Sequence, residues 1–145
     1  MARPGQLGLL VLLFAAGVAV GCSPARPSAA GGTAPTAQPA SGPTAGQLAS
    51  RGREVYLAQC AVCHGDQGQG LTAPAVIGAS ANLGKYATAR GLYDYTRVTM
   101  PQTAPGSLSA EAYQQVVGYL LLQNGFVSAN ASLAESNLDS IRLQR

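Results

Sequence analysis

Three side chains in the stretch QCAVCHGDQG carry the most reactive chemistry of this chain: Cys60, Cys63 and His64. They are two of its three cysteines and its single histidine. Two thiols and an imidazole at this spacing suit a zinc site, a dithiol redox couple or covalent haem attachment. A structural zinc site is closed by four ligands, mostly Cys and His. The domain holds no further Cys or His, and a carboxylate such as Asp66 would be an uncommon fourth ligand. A redox C-x-x-C pair sits at a helix N-terminus inside a βαβ pattern, where the helix dipole lowers a thiol pKa. Here the motif ends a helix-like segment, GQLASRGREVYLAQCAVC, and runs into glycines with no alternating strand pattern around it. Haem attachment fits best. Two intervening residues place the thiols about one helical turn apart, within reach of the two vinyl groups of one porphyrin, and His64 then falls under the ring.

On these residues, CAVCH resembles the c-type haem motif, and the chain from Gly46 to Gly125 resembles a class I cytochrome c. The resemblance implies an all-α fold in which the first and last helices cross and long loops wrap one covalently bound haem c. It implies thioethers at Cys60 and Cys63 and an axial imidazole at His64. A second axial histidine is excluded by composition, and Met1 would leave with an export signal. Met100, in RVTMPQTAPG, is therefore the thioether available for the other face of the iron. It lies 36 residues past His64, and Pro101 restricts it to extended geometry. In the family the sulfur ligand often occurs in such a Met-Pro step, and Met/His ligation raises the reduction potential relative to bis-nitrogen sites. The resemblance also places Pro74 against the histidine ring, its own or a neighbouring carbonyl accepting the Nδ1–H. Were Met100 not a ligand, the open iron would make the protein a small-ligand binder or peroxidase-like.

The elements that must position these residues are legible in outline. Thr44 to Val62 carries Leu48, Val55, Tyr56 and Cys60 in roughly a helical stripe. Gly52 costs such a helix about 1 kcal/mol against Ala, which makes sense if another helix crosses close by. The last strong helix starts after Ser109, a candidate N-cap two residues ahead of Glu111. It shows Tyr113, Val116, Val117, Leu120 and Leu121 on one broad face and stops at Asn124–Gly125. The resemblance pairs Gly52 and Tyr56 with Tyr119 at the crossing. TARGLYDYTRVTMP predicts a short helix leading to the Met100 loop, with Leu92, Tyr95 and Val98 core or haem-facing. Tyr86, Arg90 and Arg97 could bond haem propionates, although solvation is the default for each. The tail after residue 126 offers Leu133, Leu138 and Ile141 for packing, without a deciding pattern.

Outside the domain, residues 7–20 form an apolar run, LGLLVLLFAAGVAV, too short for a membrane span of ~20 residues but suited to an export signal. Residues 1–21 are read as a signal peptide. Cys22 follows in GVAVGCSP, which resembles the lipobox of bacterial lipoproteins and makes Cys22 a lipidation candidate. Residues 22–46 read as that anchor and a flexible Pro/Ala/Ser/Thr/Gly linker, and 47–145 as the cytochrome domain. The expected location is the outer, periplasmic or extracellular side of a bacterial membrane. The net charge of +3 is uninformative, because seven basic residues between 47 and 145 face six acidic ones. No basic run exists, which argues against nucleic acid, and no exposed lysine cluster suggests strong electrostatic docking. The expected function is one-electron transfer between redox protein partners, without a small-molecule substrate and without enzymatic bond-making. A free shuttle and a fixed subunit of a quinoprotein dehydrogenase or terminal oxidase remain alternatives.

Overall fold

The computed structural model describes residues 42–144. The order of elements is α1 (Ala45–Gln59), α2 (Ala61–His64), a 3₁₀ turn at Leu83–Tyr86, α3 (Ala89–Thr99), α4 (Ala110–Gln123) and a second 3₁₀ turn at Glu135–Ser140. No strand occurs among the described residues beyond two isolated bridges. The protein is all-α.

Helix α1 begins two residues inside the segment read from sequence as linker. The reason is local: Thr44 and Gln47 form a capping box, with the Gln47 N–H on Thr44 Oγ1 and the Thr44 N–H on Gln47 Oε1. The remaining orphan donors of the first turn go to the tail. Ala45 N–H donates to Ala131 O and Gly46 N–H to Ala129 O, each at 2.8 Å. Helix α3 is served the same way, by its cap Thr88 and by Ile141 O, which accepts from Ala89 N–H at 2.9 Å. The tail thus completes the N-termini of two helices.

Helices α1 and α4 cross at Gly52. A methyl there would sit 2.6 Å from the Gln115 carbonyl carbon and 2.9 Å from Tyr119 Cβ, so only glycine lets the backbones approach. One turn on, Tyr56 and Tyr119 pack with ring centroids 5.4 Å apart. Ser109 caps α4 and Asn124 closes it, followed by Gly125 at φ +71°. The expected stripe Tyr113, Val116, Val117, Leu120 and Leu121 is buried throughout.

Two apolar clusters result. The larger joins Leu48 of α1, Leu92 and Tyr93 of α3, and Tyr113, Val117 and Leu121 of α4 to Leu133, Leu138 and Leu143 of the tail. No pattern in the sequence marks Leu143, yet it is 1% exposed. Its N–H donates to Ala87 O at 3.0 Å, tying the chain end to the start of α3. The smaller cluster, Ala49, Tyr56, Ala61, Val116, Tyr119 and Leu120, lies beneath the Cys60–His64 turn. Arg90 binds the tail from outside, with Nη1 3.2 Å from Glu135 Oε1, Nη2 donating to Glu135 O, and Nε 3.6 Å from Asp139. The guanidinium is therefore engaged in the fold rather than left to solvent.

Candidate haem site

The Cys-x-x-Cys-His segment is a separate single turn, set off from α1 by a break at Cys60. Cys60 (φ −119°, ψ −35°) closes α1 by donating its N–H to Tyr56 O and opens α2 by accepting from Cys63 and His64 N–H at 3.2 and 3.0 Å. Cys60 and Cys63 consequently stand one turn apart, both partly buried and both free thiols. Gly65, at φ +84°, ends the turn, and its carbonyl accepts the buried Tyr56 hydroxyl at 2.7 Å. The crossing residue Tyr56 thus also fixes the Gly65–Asp66 peptide, one residue past His64.

From there the chain folds back over α2. Gly70 N–H donates to His64 O at 2.7 Å and Ala73 N–H to Cys63 O at 3.0 Å, while Val76 and Ile77 N–H both reach Gly68 O. This loop brings Pro74 O to 2.7 Å from His64 Nδ1. A carbonyl only accepts, so Nδ1 carries the proton and the Nε2 lone pair is left for a metal.

Met100, the sulfur candidate named from sequence, is the C-cap of α3. Its backbone is extended (φ −121°, ψ 153°), as the following proline demands, and its N–H donates to Thr96 O. The Met100 carbonyl accepts the Tyr113 hydroxyl at 2.7 Å, which pins the loop to the first turn of α4. In the sequence Tyr113 shows only as a stripe residue; its hydroxyl role depends on where the 100–108 loop lands. Leu92 is core. Tyr95 packs against Tyr86 with the rings tilted and their centroids 4.7 Å apart, the Lys85 ammonium lies 4.9 Å from the Tyr86 ring, and Val98 is 67% exposed. Tyr86 is accordingly occupied by Tyr95 and Lys85. Cys22, the 1–21 segment read from sequence as a signal peptide, and the stretch read as linker up to residue 41 lie outside the described residues.

This arrangement discriminates between the three chemistries. Burial, with Cys63 beside it, pushes the Cys60 thiol up to about 11, the opposite of an activated dithiol. Among the described residues no three His, Cys, Asp or Glu side chains gather into a cluster that could hold an ion. The donors do fit a haem. Two free thiols lie a turn apart, an imidazole has Nδ1 engaged and Nε2 available, and a thioether follows on stiff extended backbone. Val62, Leu71 and Val98, on the segments bearing Cys60, Pro74 and Met100, are 77%, 67% and 67% exposed. Such apolar surface suits the rim of a porphyrin.

Residues 47–120, from the first turn of α1 to near the end of α4, match the family model of cytochrome c oxidase, cbb3-type, subunit III. The chain belongs to this family. It is a c-type cytochrome domain, its cofactor is covalently bound haem c, and it works in electron transfer. Among solved structures the cytochrome is similar to a chain of the sulfane dehydrogenase SoxCD from Paracoccus pantotrophus, with 26% identity over 70% of this chain and a TM-score of 0.57. The likeness spans 53% of that chain, about half its length. No curated protein matches the cytochrome. The family match stops before the tail, so the strap that completes α1 and α3 lies beyond the matched core. Among the described residues no helix is long and apolar enough to cross a membrane.

Proposed function

We propose that the protein is a monohaem electron carrier tethered through lipidated Cys22 to the outer face of a bacterial membrane. In this reading Cys60 and Cys63 hold the haem by thioethers, and His64 and Met100 are its axial ligands. The bound haem supplies a one-electron couple. The chain's own part is to hold the donors still: His64 through Pro74 O and the folded-back loop, Met100 through Pro101 and the Tyr113 hydroxyl. The observation that carries the reading is the 2.7 Å contact of His64 Nδ1 with Pro74 O, which presents Nε2 as a ligand. Partners would meet the exposed apolar rim of Val62, Leu71 and Val98, an interface at the weak, transient end of the size range.

A second arrangement, a fixed subunit of a larger oxidoreductase, is favoured by the matched family, whose description is that of a cytochrome c oxidase subunit, and by the dehydrogenase likeness. Purification from membranes separates the two: a fixed subunit co-migrates with its complex, whereas a shuttle does not. The ligand assignment is tested with matured Met100→Ala. The oxidised protein should lose a weak far-red band that reports sulfur ligation, bind cyanide readily and show a lower potential. Retention of that band in the variant would exclude Met100.

A further inference from the structure

Asn124 closes α4, but capping uses only part of its side chain. The residue is 6% exposed. Its Nδ2 donates to Leu120 O at 2.8 Å, within the helix, and to Val76 O at 2.9 Å, outside it. Its Oδ1 accepts from Gly78 N–H at 3.2 Å. Two of these three bonds therefore leave α4 and grip a loop 46 and 48 residues earlier in the chain.

That loop is the one that holds the axial imidazole. Val76 and Ile77 N–H donate to Gly68 O, at 2.8 and 3.0 Å, while Val76 O and Gly78 N–H bond Asn124, so residues 76–78 are held from two directions. Only Ala75 separates Val76 from Pro74, whose carbonyl accepts from His64 Nδ1 at 2.7 Å. Little slack exists at that link. A methyl on Gly70 would lie 2.8 Å from Ala75 N, and Gly70 N–H is itself bonded to His64 O. The Pro74–Val76 link therefore packs directly on the Gly70 turn that bonds His64 O.

We infer that Asn124 is a positioning residue for the His64 ring, acting through Val76 and Pro74 to set the strength of the Nδ1–H···O bond and with it the electron-donating power of Nε2. The inference rests on the proposed ligation by His64. A stronger Nδ1 bond makes the imidazole more basic and favours the oxidised iron, so slackening the brace should raise the potential.

The test uses the matured full-length protein with Asn124→Ala and Asn124→Asp, the latter keeping shape and the Gly78 acceptor while losing both amide donations. Asn137→Ala is the control: its Nδ2 donates to Ser132 O in the tail, away from Pro74. In the reduced protein, solvent exchange of the His64 Nδ1 proton, followed by NMR, should quicken at least tenfold in both Asn124 variants. The potential should rise by up to a tenfold change in the ferric-to-ferrous ratio, about 59 mV for one electron. Asn137→Ala should leave both readouts unchanged even if it melts earlier. Asn124 variants that only melt earlier, with exchange and potential unmoved, would reduce the residue to a helix cap and overturn the inference. If neither variant matures, the unmodified protein decides: Asn124 side-chain amide protons protected from solvent support the brace, and exchange at free-amide rates refutes it. A wild-type spectrum lacking nitrogen ligation would instead sink the ligand assignment, while amide protection would still report whether the brace exists.

Discussion

Replacing Gly52 by Ala puts a methyl group where two backbones already touch. The added carbon would stand 2.6 Å from the Gln115 carbonyl carbon and 2.9 Å from Tyr119 Cβ, with the Gln115 oxygen nearer still. Carbon pairs settle at about 3.5–4.0 Å, so α1 and α4 must part by about 1 Å. A carbonyl inside a helix cannot rotate away as a side-chain end can. Overpacking of this kind costs about 1–3 kcal/mol. Loosening the Tyr56–Tyr119 contact adds about 0.5–1.5 kcal/mol, and the better helix propensity of Ala returns about 1 kcal/mol. The net expectation is a loss of about 2 kcal/mol, or about 8–16 °C in Tm for a domain of this size. Gly46→Ala is the matched control. It lies on the same helix, and its methyl would meet Ala129 O at 3.2 Å, a contact that needs a shift of only a few tenths of an ångström against about 1 Å at Gly52. Thermal and urea unfolding of the matured proteins, followed by far-UV circular dichroism, should show Gly52→Ala clearly weakened at unchanged m and Gly46→Ala within about 0.5 kcal/mol of wild type or slightly stabilised. Equal stability of the two variants would refute the crossing argument.

Tyr56→Phe removes the buried hydroxyl bond to Gly65 O and should cost about 1–2 kcal/mol at neutral pH. Burial holds the Tyr56 hydroxyl above its ordinary value of 10.0, so its contribution is complete below that pH and declines as pH rises, because the unfolded chain ionises first. The stability gap between wild type and Tyr56→Phe should therefore narrow above pH 10; a gap constant from neutral to strongly alkaline pH contradicts the assignment. Arg90→Ala cuts the tie between α3 and the tail. Its carboxylate partners are 55–73% exposed, so each ion pair is worth little, and the bond to Glu135 O contributes more. A loss of about 0.5–1.5 kcal/mol is expected, with hydrogen exchange quickened at Leu133 and Leu143 but not in α4; uniform quickening would show that the tail is not a separable strap.

The chemistry was readable in the sequence because covalent attachment is a local demand: Cys60, Cys63 and His64 must fall within one turn, and spacing alone states that. Helix ends were readable for the same reason, since Ser109 and Asn124–Gly125 act within a turn of where they stand. The Thr44–Gln47 capping box was equally local, as T-x-x-Q, and would have moved the start of α1 out of the linker. Other facts have no local signature. That Tyr113 bonds the Met100 carbonyl, that Asn124 grips Val76 and Gly78, and that Leu143 closes the core beneath α3 depend on segments well beyond one helical turn apart meeting in space. A hydrogen-bonding side chain shows in its type what it can offer, but only the packing of loops onto α4 selects its partner. The amino-acid order therefore determined which atoms could take the haem and roughly where the helices run. Tertiary structure decided what holds those atoms in place, because positioning is a property of contacts between distant parts of the chain and not of any one stretch of it.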